Sequence, residues 1–310
     1  MENHTPNYIH ILVELFMPNK IQIVDEQGYV KLFSKNPSQT NSASEHPLRV
    51  YDIQTSYKNI KTPTLLFRPS FNCISIIKHG FMKITLDNSV KTVTKNSLLI
   101  SRSGHISSTL DFSNDVEGYF LVYEDETLNS IFSKNEFLGL FSANPFITLN
   151  NADCKWLCEL ITLLEIELHK KNNSLDIVLP LFQAVYRKIF SLNNSVLKIN
   201  DRSTEITFAF KELSYQHHIK QKNIDFYSKK LAVSNNYLTR CVKSSTGLTP
   251  KYILNECDVQ QAKLLLQDHS KSLADITIEL NYNDPSYFSR LFKKIAGITF
   301  TQFRQNQMHN

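Results

Sequence analysis

The sequence predicts an α+β chain of two domains, a small antiparallel β-barrel with flanking helices followed by an all-α domain. Three observations carry that expectation. Short β-rich runs separated by turn residues fill Leu48 to Tyr123, two long apolar stripes at helical spacing follow, and the last third of the chain holds one helical pattern written twice. At 310 residues there is enough chain for each domain to bury its own core.

Residues 1–36 alternate apolar and polar positions without a clear period, and Asn36 to Pro47 is small and polar. Residues 1–47 are therefore read as an extension and polar loop. Strands are expected at Arg49–Ile53, Thr64–Phe67, Cys73–Ile77, Phe81–Leu86, Val90–Thr94, Leu98–Ser101 and Tyr119–Tyr123, broken at His79-Gly80, Asp87-Asn88 and Lys95-Asn96. Such an array suggests a small antiparallel barrel or sandwich, with an interior that can hold a ligand. Ile74, Ile76, Phe81, Ile84, Leu99 and Phe120 either line a ligand pocket there or fill a closed core.

Glu126 to Leu140 reads as one or two helices, stopped at Asn144-Pro145. Two longer helices follow. Ala152–Lys171 carries Leu157, Leu160, Ile161, Leu164 and Leu168, and Ser174–Leu192 carries Val178, Leu181, Phe182, Val185 and Ile189. Their wide stripes fit packing on the barrel, on each other or on a second subunit. The regulatory segment thus spans 48–195, a linker 196–203, and the second domain 204–310.

That second domain opens with a helix from Thr204 to His217, whose His217-His218 pair is expected to lie in solvent. Asp284 then offers an acceptor for the unpaired amides of a first helical turn, and Pro285 suits the first helical position. Phe288, Leu291, Phe292 and Ile295 make an apolar stripe, leaving Ser286, Tyr287, Arg290, Lys293 and Lys294 outside, and Gly297 ends the helix. Fifty residues earlier the device recurs, with Ser234 under Asp284, Leu238 under Phe288, Arg240 under Arg290, Val242 under Phe292, Lys243 under Lys293 and Gly247 under Gly297. A short helix, Ile224 to Val233, precedes the first copy, and Leu273 to Leu280, started by a Ser272/Asp275 capping box, precedes the second. Between the copies runs a connector helix, Tyr252 to Asp268, restarted at Thr249-Pro250. Asn281 makes the second turn. Thr299 caps a last helix through Phe303 and Arg304.

Charge agrees with this division. From Arg202 to Asn310 there are fifteen Lys and Arg against nine Asp and Glu, a net +6, which leaves −1 for the rest of a chain of net +5. The basic excess sits with the repeated helices, as contact with a polyanion requires.

Residues 204–305 resemble the DNA-binding domain of the AraC/XylS family of transcriptional regulators. The residues that carry the likeness are Phe226-Tyr-Ser-x-x-Leu, Tyr237-Leu-Thr-Arg-x-Val-Lys-x-x-Thr-Gly-x-Thr-Pro, Ala262-Lys-x-Leu-Leu, Asp284-Pro-Ser-Tyr-Phe-Ser-Arg-x-Phe-Lys-Lys, Gly297 and Phe303-Arg304. Residues 48–192 are more loosely similar to that family's cupin-like regulatory half. The resemblance implies two helix-turn-helix modules on double-stranded DNA, a sensor of a small-molecule effector or partner, RNA polymerase as a further partner and a homodimer; a cytoplasmic setting is expected on separate grounds. The N-terminus lacks a basic leader, and Ile9 to Met17 is too short for a membrane span. Ser228 and Thr277 stand where the family usually has Ala, Asn281 where it has Gly, Phe300 where it has Pro, and Cys257-Asp258 where an Arg is common.

Positions matching the family's exposed recognition-helix residues are Asn236, Thr239 and Arg240 in the first copy and Ser286, Tyr287 and Arg290 in the second. Arg pairs bidentately with guanine and Asn with adenine, so these six are expected at base edges. Lys243, Lys293, Lys294, Lys229 and Lys230, with the helix N-termini at Ser234 and Asp284, are expected at phosphates. Each lysine is equally well read as a solvated residue; for Arg290 the functional reading is favoured, with a bond within the domain or to phosphate as its rival.

Enzymatic readings are poorer. There is no Ser/His/Asp or Cys/His constellation and no phosphate-cradling loop, and seven glycines are few for a nucleotide-binding fold. Metal-using cupins carry a His-x-His pair, whereas this segment has only His79 and His105, far apart. Cys73, Cys154, Cys158, Cys241 and Cys257 form no CxxC pair, and Cys154 and Cys158 read as small buried residues. No cofactor or metal is expected. The alternative function is a small-molecule-binding module whose helical tail mediates protein interaction.

Overall fold

The computed structural model describes residues 23–35, 47–57, 59–87, 89–132, 145–170, 174–192 and 202–308. The N-terminal half begins with β1 (Ile23–Val24) and α1 (Glu26–Phe33), the latter capped by Asp25, which accepts from the Gly28 amide at 2.7 Å. Then come β2 (Leu48–Asp52), a π turn (Ile53–Tyr57), β3 (Arg68–Pro69), β4 (Asn72–His79), β5 (Phe81–Leu86), β6 (Ser89–Thr94), β7 (Ser97–Ser101), β8 (Ser107–Phe112) and β9 (Glu117–Tyr123). A helix α2 (Asp125–Ile131), β10 (Phe146–Thr148), α3 (Asn151–Leu168) and α4 (Leu175–Leu192) complete it. The antiparallel architecture expected from the sequence is present as two main sheets, ordered β10-β7-β4-β9-β2 and β6-β5-β8.

Period-two alternation explains how those sheets are used. Ile74 and Ile76 of β4, Leu98 and Ile100 of β7, and Leu121 and Tyr123 of β9 face α3 and α4. Their neighbours Ile77, Leu99 and Phe120 point the other way, into a core shared with Met82, Ile84 and Leu86 of β5 and with Tyr29 and Phe33 of α1. The six apolar residues expected around one interior therefore do not share it. Ile74 and Ile76 belong to one core, Ile84, Leu99 and Phe120 to the other, and Phe81 is only half-buried.

The expected turns hold at Gly80 (φ 68°), Asp87 (φ 51°) and Asn96 (φ 58°), residue types that tolerate left-handed backbone. Thr64–Phe67 is corrected: no strand forms there beyond an isolated Phe67–Ser107 bridge. Its backbone groups are satisfied by β8 and by one side chain: the Thr64 amide donates to the Thr109 carbonyl at 2.8 Å and the Phe67 amide to the Ser107 carbonyl at 2.9 Å. The Thr109 amide donates to the Thr64 hydroxyl at 2.9 Å, and Gln267 binds Leu66 on both sides, its carboxamide oxygen accepting from the Leu66 amide (2.7 Å) and its NH₂ donating to the Leu66 carbonyl (2.8 Å). β8 and β10 were not legible, since Ser107-Ser-Thr and a three-residue strand lack a β-rich run.

The long helices α3 and α4 pack on the five-stranded sheet and on each other, burying Leu157, Ile161, Leu164, Val178, Phe182, Val185 and Ile189. Core packing within the chain thus uses those stripes, with Leu160, Leu168 and Leu181 at its margin. Most of the polar loop 36–47, any helix through Leu140, and most of the linker at 196–203 fall outside the described residues.

The C-terminal third comprises α5 (Arg202–His217), α6 (Ile224–Lys230), α7 (Asn235–Thr246), α8 (Pro250–Leu265), α9 (Leu273–Glu279), α10 (Pro285–Ala296) and α11 (Phe300–Met308). Arg202 and Ser203, assigned above to the linker, already belong to α5: the Ser203 hydroxyl donates to the Cys241 carbonyl at 3.2 Å. Two small cores form here. Phe210, Tyr227, Leu238, Val242 and Leu254 build one, and Val259, Ile276, Phe288, Phe292 and Phe300 the other.

Candidate nucleic-acid interface

Both repeated helices are built by the same local chemistry. Ser234 accepts from the Tyr237 amide (3.2 Å) to start α7, and Asp284 accepts from the Ser286 amide (2.8 Å) to start α10. Gly247 (φ 73°) and Gly297 (φ 78°) end them, their amides reaching the Lys243 and Lys293 carbonyls at 2.9 and 3.0 Å. A preceding short helix and tight turn, with Ala232 (φ 52°) in one copy and Asn281 (φ 58°) in the other, complete each helix-turn-helix. The Ser272/Asp275 capping box starts α9, its hydrogen bonds to Ser272 holding the Asp275 carboxyl below its ordinary range.

Exposure repeats with the sequence. Leu238, Cys241 and Val242 are buried where Phe288, Leu291 and Phe292 are buried. Asn236, Arg240 and Lys243 of α7 are exposed, as are Ser286, Tyr287, Arg290, Lys293 and Lys294 of α10, and Thr239 is half-buried. Arg240 lies over the Tyr237 ring at 4.9 Å, which lets a guanidinium rest on a flat face before any partner arrives. Lys229 and Lys230 are exposed at the end of α6. Ser234 is also exposed, but its hydroxyl is engaged as the cap, so its own contribution to an anion is the helix N-terminus.

The departures from the family pattern are absorbed locally. The buried hydroxyls of Ser228 and Thr277 donate back to the Asp225 and Leu273 carbonyls at 3.1 and 2.7 Å. Phe300 stacks on Phe292 at 4.1 Å and adds to the core. The pair His217-His218 is corrected: His217 packs edge-on against Phe226, whereas His218 is 1% exposed and bonds Asp258 at 2.8 Å. Periodicity gave no warning, because a histidine at a helix end satisfies a solvent reading equally well.

A cleft of about 500 Å³ lies between the β-sheets and the helical third, lined by Asp87 and His105 on one side and by Lys211, Tyr215, Glu256 and Gln260 on the other. Burial alone would raise the Asp87 carboxyl, but His105 at 2.5 Å and the Ile106 amide hold it below its ordinary range. Burial pushes Lys211 down. No reading of the sequence located this cleft, since its two walls lie far apart along the chain. Beside it, Arg68 donates to the Gly104 carbonyl (2.7 Å) and approaches Gln261 (3.5 Å), and Leu66, Ile106 and Leu264 close an apolar contact.

Paired helix-turn-helix modules, each presenting a basic helix with its apolar side buried, define a DNA-binding transcription regulator. Comparison with known proteins agrees: residues 227–306 match the family model described as a helix-turn-helix domain. The chain is 25% identical over 263 residues to the HTH-type transcriptional activator RhaR of Mannheimia succiniciproducens, covering 81% of this chain and 91% of that one. It is 23% identical over 215 residues to the lactose operon transcription activator of Staphylococcus xylosus, covering 67% and 74%. Among solved structures, ToxT of Vibrio cholerae aligns over 83% of this chain and 97% of its own at 15% identity, with a TM-score of 0.43. The C-terminal third is a tandem helix-turn-helix domain similar to that of AraC/XylS-type regulators, and the chain is a DNA-binding transcription regulator built on it. Among the described residues no helix is long and apolar enough to cross a membrane.

Proposed function

We propose that α7 and α10 enter successive major-groove segments on one face of duplex DNA, with α8 setting their separation at roughly 34 Å, one helical turn. In this reading Asn236, Thr239, Arg240, Ser286, Tyr287 and Arg290 meet base edges, while Lys243, Lys293, Lys294 and the helix N-termini at Ser234 and Asp284 meet phosphates. The observation that supports it most is the matched exposure of two basic helix faces in a duplicated motif. A target fragment is first recovered by genome-wide capture of bound DNA. Arg240→Ala or Arg290→Ala is then expected to weaken binding to that fragment by about 1–3 kcal/mol and to leave a scrambled duplex unaffected. Lys293→Ala should weaken both duplexes alike and lower the salt slope by about 1. Gel-shift titrations at two salt concentrations measure this, and equal losses on both duplexes for the arginine variants would refute base reading.

Residues 48–195 act in this proposal as a cupin-like regulatory domain and 204–310 as the DNA-binding domain, in a cytoplasmic regulator without catalytic activity. Control by a small molecule is supported by the cleft between them, because α5 and the connector α8 form one wall. A ligand that fits only one arrangement of that wall shifts DNA affinity by its differential affinity for the two states. The relatives are named as transcription activators, and activation is the sense of control adopted in this proposal, with RNA polymerase as the further partner.

Dimerisation is supported by α3, whose outer face leaves Trp156, Leu163 and Ile166 43%, 54% and 52% exposed in one line. Leu163→Glu is expected to raise the dimer dissociation constant at least about tenfold in sedimentation equilibrium, since a carboxylate would be carried into an apolar contact. An unchanged sedimentation profile would place the contact elsewhere.

A further inference from the structure

The connector helix carries Asp258 beside Cys257, where the family commonly has an Arg, and that aspartate is 0% exposed. Asp258 is reached by three donors from three different segments. His218 Nδ1, just beyond α5, lies 2.8 Å from Oδ1; Lys222 Nζ, in the loop before α6, lies 2.5 Å from the same oxygen; and the Tyr282 hydroxyl, in the turn before α10, donates to Oδ2 at 2.5 Å. Burial pushes the His218 imidazole down against the opposing hydrogen bond to Asp258, which leaves the ring neutral near pH 7 with Nδ1 as donor. Lys222 supplies the compensating charge and also lies over the Tyr282 ring at 4.6 Å.

From Tyr282 the chain of contacts runs straight to the recognition surface. Its ring stacks at 6.0 Å and 28° on Tyr287, a base-edge candidate 44% exposed on α10, and packs at 4.7 Å on buried Phe288. One carboxylate thus joins the first module, the connector and the start of the second recognition helix. A buried carboxylate contributes little net stability against an apolar replacement, but its fixed geometry specifies one arrangement of the groups around it.

We propose that Asp258 is a positioning residue for DNA reading: through Tyr282 it sets the pose of Tyr287, and through His218 and Lys222 it fixes the second recognition helix relative to the first. Losing the clasp then relaxes the demand for one spacing between the two half-sites. Binding to DNA in general, which rests on lysines elsewhere, is left in place.

The test uses the full chain, the captured target fragment, the same fragment with one to five base pairs inserted between its halves, and a scrambled duplex. Tyr282→Phe keeps the ring and removes one hydrogen bond; Asp258→Asn keeps the volume and removes the charge. Each is expected to lose about tenfold on the native fragment, with at most about a twofold change on the scrambled duplex, and to flatten the penalty for insertion. The double variant should lose less than the two losses combined, as residues in one network do. Equal losses on both duplexes, or an unchanged insertion profile, would overturn the proposal by assigning Asp258 a purely structural role. Thermal melts monitor folding, and if Asp258→Asn is unfolded at the assay temperature, Tyr282→Phe alone decides. The inference rests on the tandem reading above, which fails separately, by the arginine variants ceasing to discriminate the two duplexes.

Discussion

Replacing Phe292 with alanine is expected to destabilise the second helix-turn-helix by about 3–5 kcal/mol, the cost of emptying a fully buried aromatic site. Phe292 is 0% exposed, stacks on Phe300 at 4.1 Å and meets Phe303 edge-on at 6.0 Å. A close-packed core of this kind refills such a space only in part. Because the same helix carries Tyr287 and Arg290 on its opposite face, a loosened core releases the groups proposed to read DNA. Chemical denaturation followed by circular dichroism measures the loss. A change below about 1 kcal/mol would show that α10 is held by something other than this core.

The second large effect is expected in the N-terminal half, at Gly118→Ala. Gly118 pairs with Ile77 at the centre of the five-stranded sheet, and a Cβ there would sit 2.0 Å from the Ile76 carbonyl oxygen and 3.2 Å from Ile53 Cδ1. The clash is with backbone, so the β4–β9 ladder itself would have to shift, at a cost of about 3 kcal/mol or more. A thermal melt should show the transition lowered and apolar dye binding raised. An unaltered melt would mean that β9 has more freedom than this packing allows.

These two positions also show how differently the two halves speak through their sequence. Phe292 could be placed in a core from the residues alone, because i, i+3, i+4 spacing, a cap and a terminating glycine all agree over one short helix and agree again fifty residues earlier. Gly118 could not, since its constraint comes from Ile76 on a strand some forty residues away. The same contrast governs the remainder. Turns at Gly80, Asp87 and Asn96 were legible because left-handed backbone selects those residue types. The loss of a strand at Thr64–Phe67 was not, because Leu66 is satisfied by Gln267, two hundred and one residues away. Recognition-helix exposure followed from periodicity, whereas the burial of His218 required knowing that Asp258 faces it. Polar side chains report their partners only when the fold brings those partners together.

One physical theme links the two halves. The connector α8 meets both halves: it carries Asp258 between the modules, lines the cleft with Glu256 and Gln260, and continues into Gln267, which clasps Leu66 of the β-rich half. A change in the cleft would bear on the element proposed to space the two recognition helices, so the proposed coupling needs no long chain of intermediates.

The most direct test of the central claim is a hydroxyl-radical footprint of the full chain on its captured target fragment. Simultaneous insertion of α7 and α10 predicts two protected windows on one face of the duplex, centred about ten base pairs apart, both weakened together by Arg290→Ala. A single window, or two windows on opposite faces, would contradict it.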